Sequence, residues 1–300
     1  MAGTNSNSTL LTIVTPISQM AGRLQNLQTW LSRLGNLSVE VVLIHDKKDE
    51  LTGIALREMI HKLDDSRITF LEGNYGGPGL ARNAGMQVAT GEWVCFWDSD
   101  DIPQVQDFYL MVQTADESKS ECAIGGFTAV HDTTGERKLH LLPKDYLNEI
   151  AINPGIWRFA FKRNELKGLW FSSLMMAEDQ IFLANFNIPD RQIEIFSKSV
   201  YHYFIGEDFH LTKSRESLKD LPIAIDHSFS LVRSLTGKNI SFVSILLSRQ
   251  LMTALRTSKY SERLKVIQIF FRGFRGAGKY GRKEILLSLW FVIWNRKSIL

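Results

Sequence analysis

Short apolar runs alternate with amphipathic stretches through the first third of the chain. Runs typical of buried strands occupy residues 10–15, 39–44, 67–71 and 92–97. Apolar residues spaced three or four positions apart predict helices between these strands, over residues 24–34, 52–63 and 81–89. Strands and helices that alternate with short connections predict an α/β fold, in which a mostly parallel sheet has helices on both faces.

The rest of the chain follows a less regular pattern. Two strands are expected over residues 123–130 and 136–142, on either side of a turn at residues 133–135. From about residue 221 onward the pattern is helical, with successive helices expected over residues 223–259 and 263–300. This change of pattern predicts a domain boundary near residue 220.

Composition narrows the class of protein. Three hundred residues, 44% of them hydrophobic and 22% charged, are typical of a globular protein of about two domains. Cys95 and Cys122 are too few for a disulfide framework, so we expect buried thiols in a reduced, cytoplasmic protein. The polar residues 1–8 do not resemble a signal peptide, and no apolar run is long enough for a membrane-spanning helix.

The net charge of +3 is unevenly distributed along the chain. Residues 262–300 hold nine Lys and Arg and two Glu, a net charge of +7, which leaves −4 for residues 1–261. Because this basic segment is also rich in aromatic and aliphatic residues, it suits an anionic membrane surface. Packing in a helical bundle and contact between two copies of the chain stay open as alternatives. Nucleic acid is not expected, because the basic residues accompany aliphatic side chains rather than exposed stacking platforms.

Three carboxylates follow the fourth predicted strand within four residues, in Asp98-Ser99-Asp100-Asp101. Such a density of negative charge is unfavourable unless solvent or a cation offsets it. Mg²⁺ and Mn²⁺ suit the cluster, because these ions bind one or two carboxylates together with phosphate oxygens and water. A solvated loop whose aspartates cap a helix is the alternative.

A glycine-rich segment precedes the acidic cluster. Gly76-Gly77-Pro78-Gly79 suits a tight loop that opens a helix, and Ala81-Arg82-Asn83-Ala84-Gly85 follows it. Amides at a helix N-terminus favour anions, and Arg82 is placed to add a charge-assisted contact with a phosphate. A surface ion pair is the alternative for Arg82.

Together these motifs resemble the signature of the family 2 glycosyltransferases, which have the GT-A fold. The resemblance is dense from Gly77 to Asp101 and extends over about residues 10–215 in the order of elements. It implies a Rossmann-like, mostly parallel sheet flanked by helices. We therefore expect a catalytic domain over residues 1–220, with nucleotide-sugar binding over about 10–105 and the acceptor and base part over about 106–220. The basic amphipathic helical region expected over residues 221–300 follows from the pattern and charge of that segment, because the resemblance fades there.

The resemblance also assigns the donor site. Its implied nucleotide-binding residues lie at strand ends and in the glycine-rich helix: Thr15, Pro16, Asp46, Arg82, Asp98 and Ser99. The main chain at Thr15 and Pro16 would border the base, and Asp46 would bind the base or the ribose. Asp100, with Asp98, would ligate the Mn²⁺ or Mg²⁺ ion that bridges the diphosphate.

An acidic pair about 80 residues after the metal motif is a further feature of the family, and Glu178-Asp179 matches it. Asp179 is the expected base that deprotonates the acceptor hydroxyl, with Glu178 as its neighbour or as a contact of the acceptor. Acids that stabilise a helix N-terminus are the alternative.

The implied activity is that of an inverting, metal-dependent glycosyltransferase of the hexosyltransferase type. A nucleoside diphosphate sugar, with UDP as the family-level expectation, would donate its sugar to a hydroxyl of a glycan or lipid-linked acceptor in surface polysaccharide biosynthesis. The protein is expected in the cytoplasm, attached peripherally to the inner face of the cytoplasmic membrane.

Two other functions remain as alternatives at this point. One is a catalytically silent scaffold that keeps the fold and binds a partner. The other is a sugar-nucleotide pyrophosphorylase, which would have a glycine-rich loop directly after the first strand, where the sequence offers only Gly22-Arg23-Leu24.

Overall fold

The computed structural model describes residues 9–206 and 217–295, except for the side chains of Ser217, Tyr260 and Ser261. The polar segment 1–8 and residues 296–300 of the basic region lie outside the described residues. The strands are β1 (Leu11–Ile17), β2 (Val39–Asp46), β3 (Ile68–Gly73), β4 (Trp93–Phe96), β5 (Ile102–Pro103), β6 (Cys122–His131), β7 (Arg137–His140), β8 (Phe159–Lys162) and β9 (Ile193–Ile205). The α-helices are α1 (Gln25–Leu31), α2 (Glu50–Leu63), α3 (Pro78–Val88), α4 (Val105–Glu117), α5 (Tyr146–Ile152), α6 (Glu178–Phe186), α7 (Leu221–Ser234), α8 (Gly237–Thr257), α9 (Tyr260–Gly276) and α10 (Gly278–Trp294).

The chain divides into two compact units, each built from several segments. The first unit comprises residues 1–141, 157–168 and 192–207, and the second comprises residues 142–156, 169–191 and 208–300. The functional division at residue 220 stays a prediction.

One sheet organises the first unit. Its strand order is β3-β2-β1-β4-β8-β6-β9-β5, with β7 paired to β6. β3, β2, β1 and β4 are parallel neighbours, and β6 pairs in parallel with β9. β8 is antiparallel to both β4 and β6, and β5 and β7 are antiparallel to their neighbours. Six of the nine strands therefore run in one direction, and the predicted α/β fold with a mostly parallel sheet is confirmed.

Helices cover both faces of this sheet. On one face α1, α2 and α4 contribute Trp30, Leu56 and Phe108 to a continuous buried core. On the other face α3 packs on β1, where a Cβ atom on Gly85 would lie only 2.4 Å from Cγ1 of Val14. Glycine at this position of the motif therefore allows α3 to lie directly against the strand.

A partly buried carboxylate joins β1 and β2 to the turn that precedes β4. Glu40 accepts hydrogen bonds from the Thr12 hydroxyl, from the Thr90 amide at 2.5 Å and hydroxyl at 2.6 Å, and from the Gly91 amide at 3.2 Å. A Cβ atom on Gly91 would lie 2.7 Å from the backbone nitrogen of Thr12, so no larger residue fits there without a backbone shift. These contacts fix where β4 begins beside β1.

The second unit is helical among its described residues. α8 packs against α7 and α10, and the Ser228 hydroxyl of α7 donates a buried hydrogen bond of 2.9 Å to Gln250 of α8. The predicted C-terminal helices are confirmed, but they form four helices rather than two continuous runs. The breaks fall at residues 235–236 and at Ala277, and the next residues, Gly237 and Gly278, have positive φ angles of 58° and 67°. Few other residues adopt such angles readily, so these glycines favour the breaks.

Two further expectations concern burial and membrane crossing. Cys95 and Cys122 are both buried thiols outside any disulfide, as predicted, and burial raises the pKa of the Cys95 thiol. Across residues 9–206 and 217–295, none of the helices combines the length and the apolar character required to traverse a bilayer.

We predict that Glu40→Gln lowers the free energy of unfolding by about 1–3 kcal/mol at neutral pH, because it leaves the buried Thr12 hydroxyl and Gly91 amide poorly paired. Partial burial raises the pKa of Glu40, but the hydrogen bonds from Thr12, Thr90 and Gly91 outweigh this effect and lower it overall. A lowered folded-state pKa means that the carboxylate stabilises the fold at neutral pH, and that this contribution is lost as the pH falls through the folded-state pKa.

Urea unfolding of wild type and variant at several pH values checks this prediction. The difference between them is expected to shrink below the ordinary pKa range of glutamate. Glu58→Gln, an exposed substitution on α2, is the matched control and is expected to change little. A difference that stays constant with pH would refute the assigned role of the carboxylate.

Candidate active site

The carboxyl ends of three neighbouring parallel strands bring the predicted donor-site residues to one edge of the sheet. β1 lies between β2 and β4, with Ile17 beside His45 and Val14 beside Phe96. Thr15 and Pro16 belong to the end of β1, Asp46 ends β2, and the acidic cluster follows β4 directly. These segments therefore converge at one edge of the sheet in the first unit.

Arg82 forms a largely buried ion pair with the first aspartate of the cluster. Its Nη2 atom lies 2.8 Å from Oδ1 of Asp98, and the two side chains are 6% and 29% exposed. A buried guanidinium that lost its carboxylate partner would be strongly destabilising. Arg82 is therefore not a surface ion pair: it orients Asp98 from the first turns of α3.

The main chain of the acidic loop is fixed by side chains of α1 and α4. Asn26 donates a hydrogen bond of 2.5 Å to the carbonyl oxygen of Asp100. Trp97, the residue before the loop, packs edge to face against Trp30 and Phe108, with ring centroids 5.1 and 5.0 Å away. The backbone on both sides of Asp98 is thus held by the core.

Asp101 is a buried structural group rather than part of an exposed cluster. It is 1% exposed, and it accepts a hydrogen bond of 2.8 Å from the Phe204 amide and another from the Tyr201 hydroxyl. Burial, with the nearby negative charges of Asp100 and Asp98, raises the pKa of Asp101 well above its ordinary value. Of the three carboxylates that the sequence places together, only Asp98 and Asp100 are partly exposed.

Tyr201 connects the two ends of the acidic loop. Its hydroxyl accepts a hydrogen bond of 3.0 Å from the amide of Asp98 and bonds to the side chain of Asp101. Its ring is fully buried and stacks on Trp157 with centroids 4.6 Å apart. No local motif marks this residue in the sequence, because it follows Asp98 by 103 positions.

Asp46 holds the loop between β3 and α3. Its Oδ2 accepts from the Gly76 amide at 2.9 Å and its Oδ1 from the Lys48 amide at 3.1 Å. Slight burial raises the pKa of Asp46, but these amides and the charge of Lys48 outweigh it and lower the pKa. The carboxylate therefore stays ionised at neutral pH, and each oxygen retains acceptor capacity for a ligand.

Besides Arg82, two more predicted donor-site residues have buried side chains. Thr15 is fully buried, and within the described part of the chain its hydroxyl has no hydrogen-bond partner. Ser99 is also buried. Because the Thr15 side chain faces the interior, only its main chain is available to border a ligand, which is the contact that the resemblance implies.

The donor set suits a metal ion only in part. Among residues 9–206 and 217–295, no three or more His, Cys, Asp or Glu side chains are arranged to hold a metal by themselves. Asp98 and Asp100 supply two carboxylates at one strand end. Mg²⁺ or Mn²⁺ bound there would take its other ligands from phosphate oxygens and water, as these ions commonly do.

Glu178 and Asp179 belong to the second unit and begin α6. Glu178 is buried, and Oδ1 of Asp179 accepts a hydrogen bond of 2.7 Å from the Gln180 amide. Ala177, which precedes them, has a left-handed backbone with φ of 67°. This conformation is unfavourable for alanine and is found at functional sites more often than elsewhere. Acids in the first turn also stabilise the helix, so geometry alone leaves both interpretations of the pair open.

Comparisons with known proteins identify relatives of this chain. Residues 13–185 match Glycosyl transferase family 2. Glycosyltransferase GlyG of Streptococcus pneumoniae serotype 4 is 22% identical over 264 residues, which cover 80% of this chain and 87% of that protein. Glycosyltransferase GlyA of the same organism is also 22% identical, over 52% of this chain, and the chain spans only 22% of its length. The poly(ribitol-phosphate) beta-N-acetylglucosaminyltransferase TarS of Staphylococcus aureus is 27% identical over 60% of this chain and 33% of that protein.

Solved structures share the fold. The crystal structure of S. aureus TarS 1-349 in complex with UDP-GlcNAc superposes with a TM-score of 0.72 and 18% identity, over 96% of this chain and 91% of that one. The mannosyltransferase PcManGT from Pyrobaculum calidifontis, in complex with GDP-Man and Mn²⁺, gives a TM-score of 0.56 and 14% identity, over 96% and 86%. These likenesses confirm the GT-A type of sheet and helices.

Tyr201→Phe is expected to lower the free energy of unfolding by about 1–3 kcal/mol, because it leaves the Asp98 amide without its acceptor and removes one of the two hydrogen bonds to the buried Asp101. The phenyl ring preserves the stacking on Trp157. Chemical denaturation of both proteins measures the difference.

Tyr109→Phe on α4 is the matched control for loss of a hydroxyl. The Tyr109 hydroxyl makes no hydrogen bond with any described residue, and the side chain is half-buried. Equal stability losses in the two variants would contradict the role assigned to Tyr201.

Proposed function

The chain belongs to Glycosyl transferase family 2 and is a glycosyltransferase, and from this premise we propose a specific reaction for it. It transfers a sugar from a UDP-sugar, with a divalent metal ion, to a hydroxyl of a glycan or lipid-linked acceptor in surface polysaccharide biosynthesis. The anomeric configuration is inverted in a single displacement.

The observation that carries this proposal is the acidic loop after β4. Asp98 and Asp100 lie at the carboxyl edge of the sheet, where α/β folds bind nucleotides. The loop is held by Arg82, Asn26 and Tyr201, so its carboxylates are oriented before any ligand arrives. Preorganised groups of this kind lower the cost of binding a charged donor.

A UDP-sugar is the donor that the comparisons favour. The structure of TarS 1-349, which holds UDP-GlcNAc, superposes better than the mannosyltransferase that holds GDP-Man. In this chain Asp46 and the main chain at Thr15 would receive the base and ribose. Asp98 would bind the ribose, and Asp100, with Asp98, would hold Mn²⁺ or Mg²⁺ against the diphosphate.

When bound, the ion would neutralise the negative charge that develops on the departing diphosphate. Asp98 and Asp100 orient the donor so that the bond between its anomeric carbon and the diphosphate oxygen is open to attack from the opposite side. Asp179 accepts the proton of the acceptor hydroxyl as its oxygen bonds to the anomeric carbon, and Glu178 contacts the acceptor or orients Asp179. The strained backbone at Ala177 supports a functional role for this pair.

The acceptor class rests on the relatives. The poly(ribitol-phosphate) transferase TarS is among them, and the succinoglycan biosynthesis protein ExoO of Rhizobium meliloti is 26% identical over 67% of this chain. One name refers to poly(ribitol-phosphate) and the other to succinoglycan. A hydroxyl of such a polymer, or of its lipid-linked precursor, is the acceptor proposed for this chain.

Asp100→Asn is expected to reduce Mn²⁺-dependent hydrolysis of UDP-sugars to background, because the ion loses a charged ligand. A panel of UDP-, GDP- and dTDP-sugars, assayed with and without Mn²⁺, identifies the donor. Asp107→Asn, in an exposed ion pair with Lys198, is the control and should retain activity. If the wild type turns over no donor in the panel, a catalytically silent scaffold replaces the proposed function.

Asp179→Asn is expected to lower the transfer rate by roughly 10²–10⁴-fold, the usual contribution of a general base. Binding of the UDP-sugar, measured by calorimetry, should stay unchanged, since this residue acts on the acceptor. Asp226→Asn, in an exposed ion pair on α7, is the matched control. A transfer rate within a few-fold of wild type would exclude Asp179 as the base and favour the helix-stabilising interpretation.

A further inference from the structure

One face of α10 is apolar and, among the described residues, exposed. Its five large exposed side chains are Leu286, Leu287, Trp290, Ile293 and Trp294. Trp290 and Trp294 are 63% and 76% exposed and stack on each other with ring centroids 5.7 Å apart. At roughly 200 Å² for each tryptophan, the pair alone leaves about 280 Å² exposed, close to the size of the largest apolar patch of a typical monomer.

The opposite face of the same helix is the one that packs. Its buried residues follow at helical spacing: Gly281, Ile285, Ser288 and Val292. The C-terminal half of α10 is therefore apolar all round, although only one side is covered. A helix with this character normally lies in a protein core or in contact with lipid.

Basic residues adjoin the uncovered face. Lys279 and Lys283 are exposed in the first turns of α10, on the side that continues into Leu286 and Trp290. Glu284, which follows Lys283 in the sequence, accepts a hydrogen bond of 2.7 Å from the Ser241 hydroxyl of α8. In the sequence, Arg296 and Lys297 follow the apolar stretch after Asn295. The uncovered patch thus has basic residues before it on the helix and after it in the chain.

The length of the patch determines how it can meet a membrane. Residues 285–294 span about 15 Å as a helix, half of the roughly 30 Å of a bilayer's hydrocarbon core. A helix of this length with one apolar face lies in the interface, with tryptophans at headgroup depth and lysines directed at phosphates.

We propose that the exposed face of α10 binds the surface of an anionic lipid membrane. Leu286, Leu287, Trp290, Ile293 and Trp294 enter the interface, and Lys279 and Lys283 contact the anionic headgroups. The attachment is peripheral and reversible. It does not depend on the donor or on the metal ion.

Charge favours a membrane over a second copy of the chain as the occupant of this face. A two-fold symmetric contact presents the same surface twice, so two segments of net charge +7 would face each other. An anionic leaflet supplies opposite charge instead, and each nearby lysine or arginine then adds to the binding free energy.

Co-sedimentation of the full-length chain with vesicles tests the proposal. Vesicles of phosphatidylcholine with 30% phosphatidylglycerol should bind the wild type, and binding should weaken as salt is raised. Lys279→Gln with Lys283→Gln should lower the partition coefficient by roughly fivefold for each charge removed. Trp290→Ser with Trp294→Ser should reduce binding to a trace.

Two exposed substitutions elsewhere in the second unit serve as matched controls. Ile223→Gln on α7 removes an exposed apolar side chain, and Lys238→Gln on α8 removes an exposed charge. Both should bind vesicles like the wild type. Donor hydrolysis in solution should be equal in all five proteins, which separates loss of membrane binding from loss of the catalytic fold.

Three results would overturn the proposal. The first is absence of binding to the anionic vesicles, and the second is equal binding to vesicles of phosphatidylcholine alone. The third is a wild type that is dimeric by light scattering and does not bind vesicles, together with a Trp290→Ser and Trp294→Ser variant that is monomeric. A second copy of the chain would then cover the face.

Discussion

The acidic loop after β4 keeps its shape through hydrogen bonds from elements that are far apart in the sequence. The Asp98 amide donates to Tyr201, the Tyr201 hydroxyl bonds to buried Asp101, and Asp101 accepts from the Phe204 amide. Because Asp101 is removed from solvent, the loop ends inside the protein core and directs Asp98 and Asp100 outward. The rest of the proposed donor site depends on this arrangement, since two partly exposed carboxylates have to meet a diphosphate in a fixed position.

The surrounding fold positions the acidic loop and its partners. Gly85 lets α3 lie against β1, which brings the buried Arg82 to Asp98. Glu40 fixes the start of β4 at the opposite edge of the sheet, so the position of the strand is determined at both ends. The negative charge of the acidic loop is offset at two of its carboxylates. Arg82 forms an ion pair with Asp98, and burial raises the pKa of Asp101, which disfavours its charged form. Asp100 contributes its carboxylate at the edge where a cation and a diphosphate would meet.

Much of this arrangement could be predicted from the sequence, because the relevant signals are local. Apolar runs predict β1 to β4, and the motif around Arg82 and Asp98 predicts the edge of the sheet at which the donor would bind. Contacts between distant residues gave no such signal. Tyr201 lies 103 positions from Asp98, so the hydrogen bonds of its hydroxyl to Asp98 and Asp101 could not be predicted. Asp101 is of the same residue type as its partly exposed neighbours, so its burial could not be predicted either. Helix α4 was not predicted either, although its buried residues Val105, Phe108, Val112 and Ala115 have helical spacing. The breaks before α8 and α10 depend on the backbone conformations of Gly237 and Gly278, which a continuous apolar pattern does not reveal.

The central claim is that Asp98 and Asp100 form half of a metal site, which a nucleoside diphosphate completes. Titration of the wild-type protein with Mn²⁺, followed by electron paramagnetic resonance with and without UDP, tests this directly. Protein-bound Mn²⁺ should be observed only when UDP is present, since no described set of side chains holds a metal alone. Tight Mn²⁺ binding without UDP, or UDP binding that is equally strong after the metal is chelated, would contradict the account.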